Sequence, residues 1–143
     1  MKNFRFVHLL LGALILAAAF RIWNDFRPLP PSNIVWRTDY FSAVAEAKRT
    51  HKPLLVEFYA TWCSACRSLD RGALRDSRVE DALERFIAVR VDTDYAPASL
   101  GLQYNVSGIP ALHVVSPDEN ILASSIGVIS ANELLNLLER AQE

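Results

Sequence analysis

One stretch, Leu54 to Arg67 (LLVEFYATWCSACR), limits what this chain can fold into more than any other. Leu54-Leu55-Val56 runs through Glu57 into Phe58-Tyr59-Ala60, an apolar run rich in β formers that reads as a buried strand. Trp62 follows, and from Cys63 onward Ser64-Ala65-Cys66-Arg67 suits the start of a helix. Two cysteines three residues apart therefore fall where a strand hands over to a helix, the sequence sign of a redox site.

The spacing has a chemical reason. Residues i and i+3 lie on one face of the first helical turn, so two sulfurs there can close a disulfide and reopen it. The first sulfur sits beside the unpaired N–H groups of the helix start and the positive end of its dipole, which favours the thiolate. Lowering a thiol pKa from about 8.5 to about 7 raises the thiolate fraction at neutral pH from roughly 3% to roughly 50%. The weaker nucleophilicity of a more acidic thiol leaves a net gain of about three-fold in attack rate. Easier departure of Cys63 under attack by Cys66 is the larger benefit. Two other readings stand beside this one. A zinc site needs four ligands, and the chain has two cysteines with His8, His51 and His113, of which His8 lies in an apolar segment. A pair of inert buried cysteines is the other.

The 143 residues suit one compact domain with an appendage at residues 1–27, a spacer at 28–33 and a folded domain at 34–143. Net charge is -1; residues 1–27 hold four basic and one acidic residue, leaving 11 basic against 15 acidic beyond them. That balance gives no ground for a nucleic-acid partner. Met1 to Arg5 is short and basic, and Phe6 to Phe20 is apolar apart from His8. The segment reads as an uncleaved signal anchor, with a cleavable signal peptide ending near Ala17-Ala18-Ala19 as the alternative. Phe4 to Trp23 would span about 30 Å as a helix, enough for a bilayer core if Arg5 and Arg21 snorkel. Either reading exports the domain to a compartment that permits disulfide chemistry, with attachment to the membrane through this segment expected if it is not cleaved. Arg27-Pro28-Leu29-Pro30-Pro31-Ser32 reads as a semi-extended spacer.

Further elements follow from caps and periodicity. Ile34-Val35-Trp36 is a short strand candidate; Thr38 or Asp39 caps a helix to about Thr50. The redox helix runs to about Arg71, and Asp76 or Ser77 caps a short helix over Arg78 to Arg85. Phe86 to Asp92 reads as a strand, Ala98 to Tyr104 as a short helix, and Ala111 to Ser116 and Ile121 to Ile126 as strands around the turn Pro117-Asp118-Glu119-Asn120. Ser130 with Glu133 predicts a capping box opening a helix to about Gln142. The order predicts an α/β fold, a mixed central sheet flanked by helices after an N-terminal hydrophobic helix, with the last two strands antiparallel and the other crossovers giving parallel neighbours.

Trp62-Cys63-Ser64-Ala65-Cys66 with Gly108-Ile109-Pro110 downstream resembles the thioredoxin superfamily. Tyr59-Ala60-Thr61-Trp62, and a helix ending in Lys52-Pro53 before the strand, make the chain most similar to the C-terminal periplasmic domains of DsbD-type transmembrane thiol:disulfide interchange reductases. The resemblance covers about Trp36 to Ala141. It implies a thioredoxin-like fold in which Cys63 is the exposed attacking thiolate and Cys66 the shielded resolving thiol. It further implies a cis-proline at Pro110, main-chain pairing of a client segment with Ile109, and a site lined by Trp62 and Tyr59. Glu57 falls where the family places a buried acid, with a raised pKa and a proton to relay for Cys66; its alternative is a carboxylate that reaches solvent or pairs with Arg90, which stands where a lysine is common. His113 reads as a partly buried structural histidine, with modulation of the site or copper delivery as alternatives.

Ser64-Ala65 is neither the Gly-Pro of thioredoxin proper nor a histidine-bearing pair like that of strongly oxidising DsbA-type proteins, which favours reductase or interchange over oxidase. Glu57 replaces the usual aspartate. The segment Asp92 to Gly108 lacks the insertion of cytochrome-maturation relatives. Expected partners are disulfide-bearing client proteins and an external membrane electron donor, with no metal and no cofactor beyond the Cys63–Cys66 pair. Disulfide donation and a non-catalytic client-binding module are the rival readings.

Overall fold

The computed structural model describes residues 2–26 and 31–140, which form two compact units, Met1–Pro31 and Ser32–Glu143. In the first unit, helix α1 covers Lys2–Phe26. Its stretch Phe6–Asn24 has mean hydropathy 2.0 over 19 residues and no buried side chain. That length and composition suffice to cross a bilayer. The spacer expected at 28–33 lies outside the described residues up to Pro30.

In the second unit, α2 (Tyr40–Thr50) starts at Asp39, whose carboxylate accepts from the Ser42 N–H at 2.6 Å. His51 in the left-handed region and Pro53 end it. Strand β1 (Leu54–Tyr59) is followed by α3 (Ser64–Arg71), a 3-10 turn Ala73–Arg75, and α4 (Ser77–Leu83) capped by Asp76. Then come β2 (Ile87–Asp92), α5 (Ala98–Gln103), β3 (Ala111–Val115), β4 (Ile121–Ile126) and α6 (Ala131–Glu139), the last opened by the Ser130/Glu133 capping box. The expected final turn to Gln142 lies outside the described residues.

The sheet order is β2-β1-β3-β4, with β1 parallel to β2 and antiparallel to β3, and β3 antiparallel to β4. Leu54, Val56 and Phe58 of β1 pack with α2 and α5, while Leu55 joins Leu69, Val79 and Leu134 from α3, α4 and α6. Helices thus cover both faces, and period-2 alternation along a fully buried strand supplies both cores.

Two expectations are corrected. Ile34–Trp36 is not a strand: Ser32 Oγ and Asn33 Nδ2 both donate to Glu80 at 2.9 Å, and the segment meets the sheet edge only through a parallel bridge from Arg37 to Val89. The crossover into β3 does not give a parallel neighbour. α5 has six residues, about 9 Å of rise, too short to return the chain along a six-residue strand of about 20 Å. The chain therefore re-enters the sheet at the end where β1 finishes, Phe58 opposite Ala111. That reversal puts residues 109–110 at the same end of the sheet as the cysteines.

Candidate functional site

Cys63 is the N-cap of α3, in extended geometry at φ −73° and ψ 107°. Its N–H donates to the Ala60 carbonyl at 3.1 Å, and its carbonyl accepts from Arg67 at 3.2 Å. Its Sγ accepts the Cys66 N–H at 3.1 Å. A sulfur at that position receives one of the unpaired amides of the helix start together with the helix dipole, and both favour sulfur carrying negative charge. The two cysteines are joined in a disulfide, Cα to Cα 5.3 Å. They pack with Ala60, and Tyr59, Ala65 and Ile109 close over them. Cys63 is 5% exposed and Cys66 2%. The expected open Cys63 is thus nearly as covered as its partner, because the N-cap side chain folds back onto the helix start with Ile109 against the pair.

Ile109–Pro110 is a cis peptide, and the Pro110 carbonyl accepts from Gly127 N–H at 2.7 Å. Gly127 has φ 94°, a conformation that glycine adopts without a Cβ clash. Ile109 is half-buried with its side chain on the disulfide. Trp62 is 66% exposed, and its Nε1 donates to Asp94 Oδ2 at 2.9 Å. The Tyr59 carbonyl accepts from the Thr93 N–H at 2.9 Å, tying the end of β1 to the loop after β2.

Behind the disulfide, on the α3 face, lies a charged network. Glu57 is fully buried, and its Oε2 accepts from Arg90 Nε at 2.7 Å. Arg90 also donates to Asp70 on α3, and its guanidinium lies 4.3 Å over the Trp36 ring and 5.5 Å from the Tyr59 ring. Of the two alternatives for Glu57, pairing with Arg90 is the one formed, and the acid is buried as well. Burial pushes its carboxyl up to about 7 and outweighs the opposing pull of Arg90, whose charge is shared with Asp70. Glu57 Oε1 has no hydrogen-bond partner among the described residues. Burial also raises the Tyr59 phenol.

Sequence reasoning missed Asp70, Trp36 and Asp94. Asp70 carried a signal, standing four residues after Cys66 and so on the same helical face. Trp36 and Asp94 carried none, since their partners Arg90 and Trp62 stand 54 and 32 positions away in the sequence. His113 lies on the opposite face, 3% exposed, with ring centroids 5.7 Å from Phe58 and 5.1 Å from Tyr104. Burial lowers its pKa, and neither nitrogen has a partner among the described residues. No group of three or more metal-ligating side chains exists among the described residues.

Comparison with known proteins agrees with this geometry. Thiol:disulfide interchange protein DsbD 1 of Pseudomonas aeruginosa is 36% identical over an alignment covering 92% of this chain and 27% of that protein. The chain thus spans about a quarter of that relative's length. The reduced C-terminal domain of Neisseria meningitidis DsbD superposes with a TM-score of 0.63 at 26% identity, covering 75% of this chain and 99% of that one. A thioredoxin from Thermus thermophilus gives 0.69 at 25% identity, covering 77% and 88%. Residues 35–117 match the family model described as thioredoxin-like, and the chain belongs to that family.

Proposed function

We propose that this protein is a membrane-tethered thiol:disulfide oxidoreductase that reduces or interchanges disulfides of client proteins on the periplasmic side of a bacterial inner membrane. The observation that carries the reading is the placement of Cys63 Sγ at the N-cap of α3, 3.1 Å from the Cys66 amide, bonded to Cys66 and covered by Ile109 before the cis Pro110. In the reduced form the Cys63 thiolate attacks one sulfur of a client disulfide. A mixed disulfide forms and the other client sulfur leaves as a thiolate. Cys66 then gives up its proton, for which the buried Glu57 is the acceptor, and attacks Cys63. The Cys63–Cys66 disulfide forms and the second client thiolate departs. The client gains two electrons, and the two protons it needs come from solvent. An external dithiol donor returns two electrons to the pair for the next turnover.

Ile109 supplies main chain beside the disulfide for an extended client segment, and Trp62 forms an exposed shoulder. The apolar Phe6–Asn24 helix supports tethering. The similarity to DsbD-type proteins supports reductase or interchange as the direction.

The test is Cys66→Ala expressed in a bacterial periplasm. Mixed disulfides through Cys63 should accumulate and resolve on adding a thiol reductant. Absence of adducts in folded, exported protein would remove the exchange mechanism. Insulin disulfide reduction should vanish when both cysteines are replaced, and persistence would refute it equally. Recovery of the intact N-terminus in alkali-washed membranes tests the tether.

A further inference from the structure

A second groove begins where the redox site ends. Asp92 closes β2 opposite Tyr59, and two residues on, Asp94 holds the Trp62 indole at 2.9 Å. Next to it, Tyr95 is 86% exposed, and across from it on α2 Phe41 is 66% exposed. Between them lies a cavity of about 210 Å³ whose lining includes Asp39, Tyr40, Phe41, Asp92, Tyr95 and Leu100. Its floor is apolar, and its rim is acidic. Its lining, drawn from residues 38–41 and 91–100, holds the carboxylates of Asp39 and Asp92 and no lysine or arginine. Asp39 accepts from Ser42 and Asp92 from the Asp94 N–H, and neither is in an ion pair among the described residues. The Asp39 carboxyl is held below its ordinary range by the Ser42 N–H, so it is charged at neutral pH.

We infer that this groove is a client-docking subsite that takes an apolar side chain flanked by lysine or arginine. It lets the protein select clients by the sequence beside their disulfide. The occupant follows from charge complementarity and continuity. Two exposed aromatic rings over an apolar floor accept an aliphatic or aromatic side chain, and carboxylates on the rim pair with cations on either side of it. Asp92 of its lining pairs with Tyr59 at the end of β1, and Tyr95 follows the Asp94 that holds Trp62, so groove and redox site share one end of the sheet. The inference rests on the redox reading for its purpose, yet docking here needs no sulfur chemistry.

The experiment therefore measures docking without cysteines. A short cysteine-free fluorescein peptide alternating lysine and leucine is titrated against the full chain in neutral detergent micelles, with a glutamate–leucine peptide as control. The lysine peptide should bind at least about ten-fold more tightly at low salt, and the preference should shrink at high salt. Tyr95→Ala with Phe41→Ala should weaken it about ten-fold, both side chains being exposed and outside the core. Asp39→Asn with Asp92→Asn, which keeps a side-chain oxygen to accept each backbone N–H, should abolish the charge preference while leaving leucine-dependent binding. Equal binding of the two peptides, or indifference to all four substitutions, overturns the inference. So does light scattering that shows a dimer formed through this face and lost in Tyr95→Ala. Insulin reduction is followed in parallel. Its loss with selective peptide binding intact would refute the redox reading alone, and the reverse pattern would refute the groove alone.

Discussion

Replacing Glu57 by glutamine should change how stability depends on pH. The carboxyl is fully buried, faces Arg90 from β2 and Asp70 from α3, and is raised from 4.5 to about 7. In the unfolded chain the same carboxyl ionises near 4.5. The folded state therefore binds its proton more tightly, and that stability is fully present below pH 4.5. It is lost as pH rises through about 7, and above that the curve is flat. The span corresponds to about 3 kcal/mol. Glutamine carries no such proton. Urea unfolding with the disulfide closed, followed by the fluorescence of Trp36 stacked on Arg90, should show parent stability falling relative to Glu57→Gln by about 3 kcal/mol between pH 4.5 and 7.5. Buried His113 acts in the opposite sense: its lowered pKa adds stability present above its unfolded pKa near 6.5 and lost as pH falls. It is the same in both proteins and cancels in the difference. Parallel curves, within about 0.5 kcal/mol, would refute the claim that burial outweighs Arg90 at Glu57.

Arg90→Met strips the shared cation from two carboxylates. It should move the Glu57 transition to higher pH and destabilise the fold by about 3 kcal/mol well above pH 7 but less near pH 5, read by the same urea series. Leucine at His113 removes two unpartnered buried nitrogens. It should raise stability by about 1 kcal/mol and erase the acid-side loss, and an unchanged acid limb would contradict this. Ser130→Ala breaks the capping box of α6 and should lower the unfolding free energy by about 1 kcal/mol, against only a few tenths for Asp39→Asn at the start of α2.

Local chemistry was legible in the sequence. The caps and the strand–CxxC–helix junction depend on residues within a turn of one another: Ser130 and the junction stand where the spacing put them, and Asp39 and Asp76 are each one of the two cap residues the sequence offered. The direction of β3 was not legible by composition, because it turns on whether α5 is long enough to carry the chain back along the sheet. Ile34–Trp36 has strand composition, yet its neighbours Ser32 and Asn33 are tied to Glu80, a residue 48 and 47 positions away. The ring of Arg90, Asp70 and Trp36 around Glu57 joins β1, β2, α3 and the segment before α2; the Arg90 pairing was one alternative the sequence offered, and the period from Cys66 to Asp70 hinted at Asp70.

In the proposed mechanism the same network sets the step in which Glu57 would take the proton of Cys66. Above pH 7 the group Glu57, Asp70 and Arg90 carries one net negative charge; with Glu57 protonated it is neutral. A proton leaving a thiol of ordinary pKa near 8.5 for a carboxylate of pKa 4.5 climbs about 5 kcal/mol, whereas transfer to one near 7 climbs about 2. The difference is on the order of 300-fold in the equilibrium, in the direction that favours attack by Cys66. Burial of Glu57 thus makes it a worse partner for Arg90 and a better proton acceptor for a thiol. The two-fold use of Arg90 by Glu57 and Asp70 keeps the attraction divided, so that the carboxyl stays near neutrality instead of falling to an ordinary acid's value.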